Sequence, residues 1–260
     1  MVSLLATLAV LGPVVVHASG EPSPVTSVEA FRGGSAPPAV YERVVRTEDG
    51  RWRQWWLLFA HNAQDRGILR TGRHAGDWEL VQVREDAPGR PVEAVYAQHS
   101  GAERCPWRAV ETRDGRPVVY LARGSHAAYF RPGVRDRFWP DPNDEADGRG
   151  PAVRPRVVRV SARQPAWMRD PRPWGGAEAG WVPGEQGSPR GPAFQPQGRW
   201  ADPDGWARQA RPCTFDRCDE PGECDGRETA LAFAAPVLVI AAVFWRRLRP
   251  RPGPRTRATG

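Results

Sequence analysis

The sequence predicts an all-β protein: an antiparallel β-sandwich with long Pro- and Trp-rich irregular segments and one C-terminal transmembrane helix. Three observations carry this expectation. Short apolar runs alternate with Gly, Pro and Asp-Gly turn signals from residue 39 to residue 122, the spacing of a sandwich. Gly and Pro number 27 and 28 among 260 residues and concentrate after Pro132, which suits short strands and loops rather than a helical bundle. An uncharged run, Ala230 to Trp245, is followed at once by Arg246, Arg247, Arg249 and Arg251.

Residues 1–18 read as a signal peptide, with an apolar stretch from Leu4 to Val16 and a small-residue cleavage site at Val16-His17-Ala18. Residues 19–140 form the expected sandwich core. Within it, 39–59 make a strand pair turning at Glu48-Asp49-Gly50, with Trp52, Trp55, Trp56 and Phe59 as packing surface. Strands follow near 78–84, 92–98, 107–112 and 117–122, the last two joined at Asp114-Gly115. Trp139 to Glu145 reads as a solvated loop, with cation binding as the alternative. Residues 141–212 belong to the same domain: 153–160 read as one more strand, and 165–212 as irregular chain pinned by Trp167, Trp174, Trp181, Trp200 and Trp206.

Residues 213–228 form a Cys-containing juxtamembrane segment, 229–245 the transmembrane helix and 246–260 an Arg-rich cytoplasmic tail. Sixteen uncharged residues give roughly 24 Å of helix at ~1.5 Å each, completed by Thr229 and snorkelling arginines. The arginine block sets the orientation: a single-pass protein of the cell membrane, with its N-terminal domain extracytoplasmic. Four cysteines, Cys105, Cys213, Cys218 and Cys224, then imply two disulfides with three open connectivities.

All 37 basic residues are Arg and the net charge is +7. The arginines are interleaved with acids such as Asp65, Glu85 and Glu111, and no nucleic-acid motif is present, so nucleic acid is not an expected partner. Ser100 and Ser125 lie outside any G-x-S-x-G elbow, which argues against a serine hydrolase.

The densest chemistry is Gly72-Arg73-His74-Ala75-Gly76-Asp77-Trp78-Glu79. In a strand, Asp77 and Glu79 point one way and Trp78 the other. His74 ends a Gly-flanked turn that can fold it back over the acids. One imidazole and two carboxylates suit a divalent metal or acid/base chemistry. The alternative is that both acids pair with arginines while Trp78 fills the core.

Two more histidine segments follow, Tyr96-Ala97-Gln98-His99-Ser100 and Val118 to Phe130 with Gly124-Ser125-His126 at its turn. Together with the first, they resemble the vacuolar-protein-sorting-associated protein sixty-two family. Glu21 to Phe31, Ser188 to Pro192 and Trp200 to Trp206 also look like parts of that family, so the resemblance spans about residues 12 to 207. It offers a second reading of Gly12 to His17, as the first core strand.

A more distant similarity is to the Nep-like necrosis-inducing toxins, which carry a G-H-R-H-D-W-E heptapeptide on a β-sandwich and hold a metal with its first His, its Asp and its Glu. The match is His74, Asp77 and Glu79, with Gly76 where the toxins have their second histidine. Asp65 is the nearest candidate for their upstream acidic ligand, and His99 looks like their strand-end histidine. The resemblance implies a metal site and not toxin activity.

The resulting expectation is a membrane-anchored module that recognises a lipid headgroup or glycan through a divalent metal on His74, Asp77, Glu79 and Asp65. The donors suit Ca, Mg or Mn better than Zn. The alternative is a metal-dependent hydrolase with His99 or His126 as general acid or base. His126 can equally be a core histidine holding the Ser125 turn.

Overall fold

The computed structural model describes residues 10–64, 72–137, 141–176 and 187–213. The strands are β1 (Val14–Val16), β2 (Val25–Thr26), β3 (Ala39–Thr47), β4 (Gly50–Asn62), β5 (His74–Asp86), β6 (Pro91–Gln98), β7 (Gly101–Pro106), β8 (Thr112–Arg113), β9 (Arg116–Leu121), β10 (Ala128–Tyr129), β11 (Gly133–Arg135), β12 (Asp144–Ala146), β13 (Ala152–Val153), β14 (Arg156–Val160) and β15 (Arg211–Pro212). Two short helices, α1 (Val28–Phe31) and α2 (Pro203–Gln209), lie between them.

A large sheet runs β14-β3-β4-β5-β6-β7-β15, with β2 extending the β3 side of β4. A smaller sheet runs β10-β9-β1-β13, with β8 folded back on β9, and β11 pairs with β12. The expected turns form. Thr47 pairs with Gly50, and Asp114 and Gly115 both have positive φ (52° and 71°), the conformation a two-residue type I′ hairpin demands.

The sheets are mixed rather than antiparallel. β1 runs parallel to β9, β14 to β3 and β15 to β7. Each of these strands arrives from a distant part of the chain, and apolar alternation specifies which face is buried but not which way a neighbour runs. Val14–Val16 is a buried inner strand of the smaller sheet, between β9 and β13.

Two expected strands differ. The chain turns back immediately after Gln98, which pairs with Gly101, so β7 occupies 101–106 and Trp107–Ala109 is a 3-10 turn where a strand was expected. The expected strand 153–160 is divided at Arg154-Pro155: β13 joins the small sheet and β14 the large one. Proline lacks the N–H a continuous ladder requires. The expected loop 139–145 ends in β12.

Both faces of the large sheet are buried. Trp55, Leu57, Phe59, Val81, Val83 and Tyr96 pack towards Val15, Val119 and Leu121 of the smaller sheet. Trp56, Leu58, Trp78, Leu80 and Val95 pack beneath Met168, Trp200 and Trp206 of the irregular segment. Double-sided burial explains why β4 reads as unbroken apolar sequence from Trp55 to Phe59. Polar groups fix the wrap. Gln54 Nε2 donates to Gln82 (2.9 Å) and to the Arg199 carbonyl (2.7 Å), and Gln82 Nε2 donates to the Pro203 carbonyl (3.1 Å).

Cys105 of β7 and Cys213 beyond β15 form a disulfide. Among the described residues no helix is long and apolar enough to cross a membrane. The expected span 229–245, the tail 246–260, Cys218, Cys224, Trp181 and Asp65 lie outside the described residues.

The bridge closes a loop of 108 residues, so Cys105→Ser should cost roughly 2–5 kcal/mol. Chemical denaturation with and without reductant measures it. Equal midpoints in both conditions would show that the bridge contributes nothing.

Candidate functional site

The polar residues singled out in the sequence converge on a cleft of about 460 Å³ at one end of the strands. The end of β4 supplies Asn62, the start of β5 supplies His74, Asp77 and Glu79, and the β6–β7 turn supplies His99. Ser125, Arg137 and Asp141 come from the loops around the smaller sheet, and Ser188, Phe194 and Arg199 from the wrap.

Alternation in β5 works as the sequence implies. Asp77 pairs with Phe59 and Glu79 with Leu57, placing both acids on the side that faces the smaller sheet. Trp78 turns the other way, stacked on Trp167 (5.8 Å) and edge-on to Trp174 (5.2 Å). The departure from the toxin heptapeptide also has a reason. Gly76 has φ +69°, and a Cβ there would lie 3.3–3.4 Å from Phe31, Ser188 and Trp174. A histidine in its place would be strained and would displace the wrap.

His126 is fully buried and stacks on Phe59 with ring centroids 3.9 Å apart. Its Nδ1 lies 2.8 Å from Asp77 Oδ2 and its Nε2 3.3 Å from Glu21 Oε1. Two carboxylate acceptors call for two N–H donors, so the ring is an imidazolium. Burial opposes that charge, but the bonds and charges of Asp77 and Glu21 prevail and push its pKa up to about 9. His126 therefore lies beneath the cleft and holds Asp77. Asn62 Nδ2 donates to the same Oδ2 at 3.2 Å.

Glu79 is the second acid and behaves differently. Burial raises its carboxyl well above the ordinary range, the charge of Asp77 raises it further, and Arg199 opposes both. Its Oε2 is buried with no hydrogen-bond partner. Arg199 is only 2% exposed. It donates to the His99 carbonyl and to Gln197.

His74 is buried, and its Nδ1 donates to the Gly76 carbonyl at 2.8 Å, leaving Nε2 as the nitrogen able to bind a ligand. The donor types fit a hard divalent cation. Asp65, the fourth expected ligand, lies outside the described residues, and among the described residues alone no three His, Cys, Asp or Glu side chains converge to hold a metal.

His99 belongs to a separate group. Its Nε2 is 2.6 Å from Asp144 Oδ2, which also accepts from Tyr129 OH at 2.7 Å. Asp144 Oδ1 accepts from Ser125 Oγ at 2.6 Å. Burial raises the Asp144 carboxyl, but the bonds from His99, Ser125 and Tyr129 outweigh it and hold the group ionised, below its ordinary value. Asp144, Arg137, Arg199, Glu21 and Ser188 were not singled out as site residues in the sequence. Ser188 had a visible signal in its match to the family, whereas nothing distinguishes Arg199 among 37 arginines.

The family model of vacuolar protein sorting-associated protein 62 matches residues 62–136, a span that contains His74, Asp77, Glu79, His99 and His126. No curated protein matches. Similar solved structures include NLPPya in complex with glucosamine (14% identity, 57% of this chain and 68% of that one, TM-score 0.38). Another is Necrosis and Ethylene inducing Protein 2 from the causal agent of cocoa's Witches Broom disease (13%, 57% and 70%, 0.38). A third is the non-toxic HaNLP3 protein (15%, 57% and 71%, 0.36). The chain thus resembles both families that its histidine segments suggested.

Two predictions follow from the charges. The folded His126 pKa of about 9 exceeds the ordinary 6.5. Its stabilisation, on the order of 3 kcal/mol, is therefore complete below pH 6.5 and is lost as pH rises towards 9. Melting temperature should fall over that interval in the wild type and stay flatter in His126→Gln; parallel profiles would refute the assignment. Glu79→Gln, which mimics a neutral carboxyl, should change stability by under ~1 kcal/mol. Asp77→Asn strips the imidazolium of a partner and should cost roughly 3–5 kcal/mol. Equal losses in denaturant titrations would instead mark the two acids as one functional unit.

Proposed function

We propose that this chain is an exported, membrane-anchored module that recognises a glycan in the cleft. One observation carries the reading. Four residues that line the cleft hold buried polar atoms without hydrogen-bond partners: Trp78 Nε1, Glu79 Oε2, Arg137 Nη1 and Ser188 Oγ. Buried polar groups are nearly always satisfied, so their clustering here favours a polar ligand. The other lining groups mix donors and acceptors with planar ends, including Asn62, Gln64, Asp141 and Arg190. Phe194, 42% exposed, supplies an apolar face. Hydroxyls both donate and accept, so a sugar matches such a lining. A phosphate headgroup would face several carboxylates.

The Cys105–Cys213 bridge supports an oxidising compartment. The uncharged run before Arg246 supports a membrane anchor. The reading rests on the lining groups and not on a divalent ion.

The test is a glycan array followed by titration of the best oligosaccharide. Arg137→Gln should weaken binding about tenfold or more, or ~1.4 kcal/mol, and excess chelator should leave it unchanged. Loss with chelator would restore the cation to the site. Binding to anionic phospholipid vesicles and to no glycan would replace the sugar with a headgroup.

A further inference from the structure

The two carboxylate centres of the cleft are built differently. Asp77 is occupied by His126 and Asn62. The His99 group is open on one side. Asp144, 2% exposed, holds Nε2 of His99 and is itself fixed by Ser125 and Tyr129. Among the described residues no protein group hydrogen-bonds His99 Nδ1, and the side chain is 23% exposed in the cleft wall. Because Asp144 accepts from Nε2–H, Nδ1 is the nitrogen left to exchange a proton with a ligand. The Arg199 guanidinium holds the His99 carbonyl, at a residue whose φ is +52°. On the other side of Asp144, Arg137 Nε lies 4.0 Å from the same Oδ2, while its Nη2 is bonded to Asp141 and its Nη1 has no partner. A base with an unbonded nitrogen, oriented by a buried carboxylate, is the pairing that acyl transfer uses.

We propose, building on the glycan reading, that the cleft hydrolyses an acyl ester carried by its sugar ligand, with His99 as general base and Asp144 as its positioning residue. The nucleophile is water, since Ser125 Oγ donates to Asp144. His99 Nδ1 takes one proton from that water as its oxygen bonds to the acyl carbon. The C=O π pair moves onto the carbonyl oxygen, giving a tetrahedral oxyanion. The C=O then re-forms, the bond to the sugar oxygen breaks, and the imidazolium returns its proton to that oxygen. The products are a carboxylic acid and a free sugar hydroxyl, and no oxidant or reductant is consumed.

The test uses the full chain with three probes: acetylated xylohexaose, the same oligosaccharide deacetylated, and p-nitrophenyl acetate. The wild type should release acetate from the first and bind the second. His99→Gln should keep its melting curve while kcat falls roughly 10²–10⁴-fold. Asp144→Asn should lower kcat with little change in KM, and Asp144→Glu should recover part of it, a split that a purely structural aspartate would not produce. Binding of the deacetylated probe without acetate release, or release unaffected by His99→Gln, overturns the proposal and leaves the glycan reading intact. His99-dependent cleavage of p-nitrophenyl acetate with no oligosaccharide binding upholds the dyad and overturns the glycan reading.

Discussion

The site end of the molecule is organised by one buried cation, the His126 imidazolium between Asp77 and Glu21. It joins three stretches of chain: the N-terminal loop, the first turn of β5 and the segment between β9 and β10. A charge so placed is tolerable only when paired, and Asp77 and Glu21 are its partners. That in turn sets Glu79. A second carboxylate two residues along the same face meets both desolvation and the Asp77 charge, and its pKa is pushed well above the ordinary range. The same field reaches His17, where burial lowers the pKa to about 4, Glu21 pulls it back up and His126 lowers it further. One imidazolium is accommodated, and the second buried histidine is neutral.

The other condition is the covering of the large sheet on its far side. A sheet that buries both faces needs a third layer, and here an irregular segment supplies it. Its backbone carbonyls would be costly against an apolar face. Gln54 and Gln82, both fully buried, meet those of Arg199 and Pro203, while Trp52 Nε1 donates to Asp204 at 2.6 Å. This docking carries Arg199 to Glu79 and His99 and brings Ser188 and Phe194 to the cleft. Eight of the twenty lining residues therefore come from this segment.

This division explains what could be read from the sequence. Alternation around Asp77-Trp78-Glu79 and the Asp-Gly turn at 114–115 are local properties, and they appear as expected. So do the tryptophan anchors at 167, 174, 200 and 206, because an indole in a proline-rich segment has few ways to be buried except against a sheet. Strand direction, the division of 152–160 between two sheets and the position of β7 depend on pairing partners far along the chain, which local pattern does not encode. His99 was visible as a motif. Its partner Asp144 was not, since Pro-Asn-Asp-Glu is also the composition of a plain turn, and only the topology brings β12 beside the β6–β7 turn.

The contrast between the two histidines then bears on chemistry. Both contact carboxylates, yet His126 spends both nitrogens on acceptors and is enclosed by Phe59. A ring in that state can neither take a proton from a ligand nor approach one. His99 spends one nitrogen and keeps the other towards the cleft. Asp144 is held by His99, Ser125 and Tyr129, whose bonds keep its carboxyl below its ordinary value despite burial. A histidine that only had to hold a turn would be satisfied like His126. The unbonded nitrogen is therefore the feature on which the proposed chemistry at His99 rests.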